Sequence, residues 1–173
     1  NEAMLSALGD PDMWQLCPAL FYCDTPLETN EGSELYNQNN PTRAKELLAL
    51  SGYDGTSIKI LNPTDYATIT PLGPVLKPTL EAVGININMP ALDWATASST
   101  AYNTDSWHIR TSWTVHWGDS NPITNAGIAG TRFDKYSNPE MQSLQLEYAR
   151  AVTFEEQYAI AEKIQRIHYE DVM

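Results

Sequence analysis

Between residues 40 and 115 the hydrophobic pattern alternates between helical and extended periods. Asn40-Pro41 opens the first helix, because an Asn side chain accepts the orphan amides of a helix start and Pro is tolerated at the first helical position; Gly52 closes it. Ala44, Leu47, Leu48 and Ser51 share one face, which predicts the buried side. Residues 57–61 alternate and are rich in β-branched side chains, predicting a strand that Asn62-Pro63-Thr64-Asp65 ends. Over residues 67–83, Leu72, Val75, Leu76, Leu80 and Val83 recur with helical spacing, and Gly84 supplies the stop. Pro74 and Pro78 each lack an amide donor, so this helix is expected to start late or to kink near Lys77. Residues 85–92 read as a second strand, a short helix runs from Asp93-Trp94 toward Tyr102, and residues 108–115 read as a third strand. Such a β, α, β, α, β order with short connections predicts a layered α/β unit whose strands share one sheet and whose helices cover its faces.

A Gly-rich loop over residues 118–130 precedes two further helices. Asn138-Pro139 starts one, with Met141, Leu144, Tyr148 and Val152 on one side; Thr153 with Glu156 forms a capping box for the next, whose stripe is Ile160, Ile164 and Ile167. Residues 1–39 are turn-rich, with Gly9-Asp10-Pro11, Asp24-Thr25-Pro26 and Glu31-Gly32-Ser33, and only the first eight residues suggest a helix end. No repeat or biased tract marks a boundary, so residues 1–173 are expected to form a single domain: an irregular opening segment (1–39) and an α/β lobe (40–173).

Composition narrows the partners. A chain of 173 residues, 42% hydrophobic and 10% aromatic, can bury one sizeable core and is not expected to be disordered. Its net charge of -12, with ten Lys+Arg against 22 Asp+Glu and no basic run, lacks the footprint that phosphate backbones demand, so nucleic acid is not an expected partner. No apolar run approaches the roughly 18 residues of a membrane-crossing helix. The sequence opens without Met or a basic leader and stops at Asp171-Val172-Met173 within a helical pattern, and it is expected to be a piece of a longer chain. Cys17 and Cys23 stand too far apart for a CxxC motif; they either close a short disulfide loop in an exported protein or remain two buried thiols.

Motifs for catalysis are missing. His108, His116 and His168 show no i, i+4 pair and no carboxylate at a zincin-like offset, so no metal is expected. There is no G-x-S-x-G elbow, and Gly118, Gly127 and Gly130 match no phosphate-binding pattern, so neither an enzyme nor a cofactor is expected. What stands out is Trp107, Trp113 and Trp117 within eleven residues, followed by Asp119, Ser120 and Asn121. A strand ending in such a loop has the ingredients of a ligand cleft, in which flat apolar walls bury a solute and a few polar groups orient it. The plainer alternative makes the three Trp core anchors and Asp119 a solvated turn residue.

Several segments carry a resemblance. They are Asn40-Pro41 with Ala44-Lys45, Leu47-Leu48 and Gly52-Tyr53; Asn62-Pro63-Thr64-Asp65-Tyr66; Leu80 with Gly84-Ile85; Leu92-Asp93-Trp94-Ala95-Thr96; Ser112-Trp113 with Asn121-Pro122; and Thr153-Phe154-Glu155-Glu156-Gln157. In order and spacing they resemble the C-terminal lobe of the family 5 extracellular solute-binding proteins, the peptide, dipeptide and nickel receptors of ABC importers. The resemblance covers nearly the whole chain and implies an α/β lobe of the periplasmic-binding-protein type II, a layered sheet with flanking helices and two C-terminal helices. It implies the substrate-binding component of an importer, periplasmic or extracellular, that captures a peptide or similar small solute by lobe closure and delivers it to a membrane permease. The partners so implied are the solute, the permease and an N-terminal lobe that this chain lacks.

The resemblance also implies a site. In peptide-binding members an acidic residue in the loop after the Trp-ending strand pairs with the ligand's α-amino group, and the nearest match is Asp119. Trp113 and Trp117 would wall the cleft, with His116 and Asn121 as further contacts. Two departures are visible: Trp113 lies nine residues before Pro122, with Asn121 where an Asp is usual, and Ala97-Ser98-Ser99-Thr100-Ala101 stands where many relatives carry one or two Arg. The second shifts the expected solute toward neutral or cationic. The alternatives are a small α/β hydrolase-like enzyme using Asp65, His116 and Asp119 as acid and base groups, and a carbohydrate receptor of the same fold.

Overall fold

The computed structural model describes residues 2–10, 12, 14–113, 120–124 and 136–171. They fall into two compact units, Asn1–Leu16 with Asn39–Trp113, and Cys17–Gln38 with Thr114–Met173. The turn-rich opening segment is therefore divided between them.

In the first unit, α1 (Glu2–Ser6) and α2 (Pro41–Leu50) precede the alternating run β1 (Ile58–Leu61), α3 (Leu72–Glu81), β2 (Ile87–Asn88), α4 (Trp94–Ala101) and β3 (Ile109–Arg110). The three strands form one parallel sheet of order β2-β1-β3, with Ile58 opposite Ile87 and Ile60 opposite Ile109. Being central, β1 buries Ile60 and Leu61 completely, against a core that includes Ile69, Ile87, Ala97 and Ala101. The predicted caps are present: Asn40 accepts from the Arg43 amide and Asp93 from the Thr96 amide. Helix α3 starts late, at Leu72, which puts Pro74 in the first turn where a missing N–H breaks no bond; Pro78 stays inside the helix.

Four expectations need correction. The second strand is Ile87–Asn88 and not residues 85–92, and the third is Ile109–Arg110 within the 108–115 segment, of which 114 and 115 lie outside the described residues. Alternating apolar character continues past the short stretch where a parallel partner is available. Helix α2 buries none of its residues: Ala44 and Leu48 are half-buried, while Leu47 and Ser51 are exposed. In the last helix pair, Val152 is 90% exposed, because Ala151 leaves helical geometry at ψ 133 and the periodicity that aligned Val152 with Tyr148 no longer applies.

The second unit packs α5 (Pro139–Arg150) against α6 (Phe154–Glu170) around Met141, Leu144, Ala161, Ile164 and Ile167, joined by Phe21 and Leu27 of the opening segment. Asn138 caps α5 by accepting from the Glu140 and Met141 amides, and Thr153 and Glu156 close a reciprocal capping box on α6. Cys17 and Cys23 form a disulfide, which decides between the two readings of that pair. The buried Gln165 and the Arg166 guanidinium then hold the irregular segment: Gln165 bonds Leu20, Thr29 and Glu31, and Arg166 pairs with Glu31 and Glu34. The Tyr136 and Asn138 side chains both donate to Asp171, at 2.6 and 2.8 Å, and burial together with that carboxylate pushes the Tyr136 hydroxyl up to about 12. No helix among the described residues is long and apolar enough to cross a membrane.

His168 sits on α6 with its Nδ1 buried and without a hydrogen-bond partner among the described residues. Burial holds its imidazole below the ordinary value of 6.5. The unfolded chain therefore takes up a proton that the folded unit refuses, so stability is complete above about pH 6.5 and is lost as pH falls through that value. The depressed carboxylates of Glu34, Glu156 and Asp171 act in the same direction, their stabilisation also being lost as pH falls, but at and below their ordinary range near 4, outside this window. Thermal unfolding at pH 7 and pH 5 is expected to show a fall in Tm that His168→Leu removes; an equal fall in the variant would assign the pH dependence to another group.

Candidate functional site

The three strands end on the same edge of the parallel sheet, and each leads an aromatic or cationic side chain there. Beyond β1, Asn62-Pro63-Thr64-Asp65 turns the chain and presents Tyr66; beyond β2, Pro63 bridges to Leu92 and the chain enters α4 at Trp94; β3 ends in Arg110 and continues to Trp113. The C-terminal edge of an open α/β sheet is the usual place for a ligand, because helix starts and turn amides converge there.

The rings of Tyr66 and Trp94 lie 4.8 Å apart, tilted by 38°, and Trp113 stacks on Tyr66 with centroids 6.1 Å apart and 14° between planes. The Arg110 guanidinium carbon lies 5.9 Å from the Trp94 ring centroid, a cation–π arrangement. Trp94 is fixed from behind: its amide donates to Asp65 Oδ1 at 2.6 Å, while Asp93 is committed to the α4 cap through the Thr96 amide and hydroxyl. Tyr66 and Trp94 are half-buried, whereas Trp113 is 46% exposed and offers a wide apolar surface to solvent. Burial lowers the Arg110 guanidinium from its ordinary value, yet an Arg stays cationic at neutral pH, so a positive charge stands at the edge of an aromatic wall.

The sequence singled out Trp113 at this edge and missed Tyr66, Trp94 and Arg110. Arg110 brings a guanidinium to this edge, whereas the segment after Trp94 carries none. Asn121 belongs to the second unit, where its Oδ1 accepts the Ile123 and Thr124 amides at 2.9 and 3.1 Å in a side-chain-closed turn. Trp117, His116 and Asp119 lie outside the described residues. Asp65, one of the groups in the hydrolase alternative, accepts the Trp94 amide.

An aromatic wall with a charged rim can bind and orient a solute by stacking and ion pairing. Among the described residues no His bonds a Ser or Cys side chain, both Cys are in the disulfide, and no group of three or more His, Cys, Asp or Glu could hold a metal ion.

No protein-family model matches the chain. A probable peptide ABC transporter periplasmic-binding protein of Sinorhizobium fredii is 24% identical over 99% of this chain, and the chain spans 34% of that relative. Among solved structures, AppA of Clostridium difficile, assigned as a peptide binding protein, superposes with a TM-score of 0.82 at 21% identity, over 97% of this chain and 36% of that one. A periplasmic oligopeptide-binding protein of Thermotoga maritima, crystallised with mannohexaose, gives a TM-score of 0.70 at 16% identity, over 98% of this chain and 39% of that one. The chain thus has the α/β fold of a partial solute-binding-protein lobe, it resembles peptide ABC receptors over its whole length, and it spans about a third of the proteins it resembles.

Proposed function

We propose that this chain is part of the substrate-binding component of an ABC importer, and that Tyr66, Trp94, Arg110 and Trp113 form solute-facing surface on it. The observation that carries the reading is Trp113, stacked on Tyr66 and 46% exposed at the C-terminal edge of the sheet. A second lobe closes over that edge, the solute is a peptide or similar small molecule, and the loaded receptor delivers it to a membrane permease. Arg110 pairs with a ligand carboxylate, which a guanidinium fork suits. The receptor works outside the cytoplasm, a setting in which the Cys17–Cys23 disulfide persists, and it performs no bond chemistry.

A second reading, an oligosaccharide receptor, is favoured by the same wall, since flat sugar faces also stack on an open Trp, and the Thermotoga maritima relative holds mannohexaose. Calorimetric titration of the full-length protein with tri- to pentapeptides and with manno-oligosaccharides separates the two. Trp113→Ala is expected to weaken the bound solute about tenfold or more, roughly 1.4 kcal/mol, with little change in Tm because the ring is half open to water. An unchanged affinity would remove Trp113 from the site.

A further inference from the structure

We propose that Thr111 and Asn62 form a buried pin that sets the pose of Trp113 against Tyr66, so that both are positioning residues for the solute-facing wall. The idea rests on the reading of that wall given above.

The ladder between β1 and β3 ends at Leu61 opposite Arg110. Past that point the Thr111 amide donates to the Leu61 carbonyl at 3.0 Å, and the Thr111 hydroxyl donates to Asn62 Oδ1 at 2.8 Å. Trp113 follows two residues later. On the other side, Asn62 Nδ2 donates to the Thr70 carbonyl at 3.0 Å. The Thr70 hydroxyl in turn accepts from the Tyr66 amide at 3.1 Å and donates to the Tyr66 carbonyl at 2.8 Å. One amide side chain therefore anchors the backbone of both stacked rings, from Trp113 through Thr111 and from Tyr66 through Thr70.

The anchor has no slack. Asn62 is buried, its Oδ1 takes two donors, Thr111 Oγ1 and the Gly73 amide at 3.0 Å, and its Nδ2 gives both protons, to Thr70 and, at 3.3 Å, to the Pro63 carbonyl. That uses the full capacity of a carboxamide, so any rotation leaves a buried polar group unpaired. Thr111 is itself buried, which keeps water from replacing its bond.

The test uses Thr111→Val, which keeps the shape and removes the hydroxyl, and Thr111→Ser, which keeps the hydroxyl. Oδ1 still accepts from Gly73 in the Val variant, so the fold is expected to survive, as far-UV circular dichroism would check. The full-length protein is labelled with 5-fluorotryptophan, and the Trp113 fluorine resonance is assigned by its loss in Trp113→Phe. In Thr111→Val that resonance is expected to move toward its position in urea, and in Thr111→Ser to stay at the parent position. An unmoved resonance in Thr111→Val, or an equal shift in both variants, overturns the pin. Trialanine and mannohexaose added to the parent report separately on the wall: a resonance that ignores both while still responding to Thr111→Val upholds the positioning and defeats the solute-facing reading.

Discussion

Gln165→Leu is expected to lower the unfolding free energy of the second unit by about 3 kcal/mol or more, a large share of the ~5–15 kcal/mol that a domain of ordinary stability has. Gln165 is fully buried on α6. Its Oε1 accepts the Leu20 amide at 2.8 Å, and its Nε2 donates to the Thr29 carbonyl at 2.9 Å and the Glu31 carbonyl at 2.6 Å. Leu is close to Gln in volume, so no large cavity confuses the result, but three hydrogen bonds are lost at once, the one to the Thr29 carbonyl buried and the other two partly buried, at about 1–3 kcal/mol for a buried group left unsatisfied. Urea unfolding should show a lower midpoint with an unchanged slope. Two comparisons sharpen it. Val152→Ala, at a side chain 90% exposed, should stay within about 0.5 kcal/mol of the parent. Arg166→Gln, which breaks partly exposed pairs with Glu31 and Glu34, should lower the urea midpoint far less than Gln165→Leu does. A Gln165→Leu protein within 1 kcal/mol of the parent would mean that water or backbone relaxation replaces all three bonds.

Gln165 also stands where local sequence stops being informative. Helix starts at Asn40-Pro41, Asn138-Pro139 and Thr153 were legible because a cap is a contact between residues two or three apart. Gln165 reaches residues 134 to 145 positions away, and nothing local in residues 17–38 signals that an amide on a distant helix will order them. The buried face of α2 failed for a related reason: periodicity says which residues share a face, but the burial of that face depends on what packs against it. The short β2 and β3 show the same limit, since a strand ends where its neighbour stops pairing and not where β-branched residues stop.

The candidate site was half legible by the same logic. Trp113 drew notice through aromatic density, which is a property of composition. Tyr66, Trp94 and Arg110 lie at ordinary positions in the sequence, up to 47 residues from Trp113, and gain meaning only when β1 takes the centre of the order β2-β1-β3 and brings three strand ends to one edge. Arg110 is not legible from the sequence as a neighbour of Trp94, because it stands at the end of another strand and its charge reaches that ring only in the folded sheet.

Gly73→Ala should destabilise the first unit by about 3 kcal/mol, although the local rule points the other way. Gly73 lies in the first turn of α3, where Ala would be favoured over Gly by up to ~1 kcal/mol on helix propensity. An added Cβ, however, would stand 2.5 Å from Asn62 Cγ and 2.8 Å from its Nδ2, with Met89 Sδ at 2.7 Å. The Met89 thioether can swing aside, but Asn62 is held by four hydrogen bonds and cannot yield without unpairing buried groups. The clash therefore falls on the anchor of the aromatic wall, and the variant should lose both stability and the Trp113 resonance position. A double-mutant cycle isolates the contact: Asn62→Ala vacates the volume the new methyl group needs, so adding Gly73→Ala to it should cost far less than in the parent, a coupling of about 1–3 kcal/mol. Additive costs would show that the methyl group is accommodated by Met89 alone, and that the amide of Asn62 has more freedom than its four bonds imply.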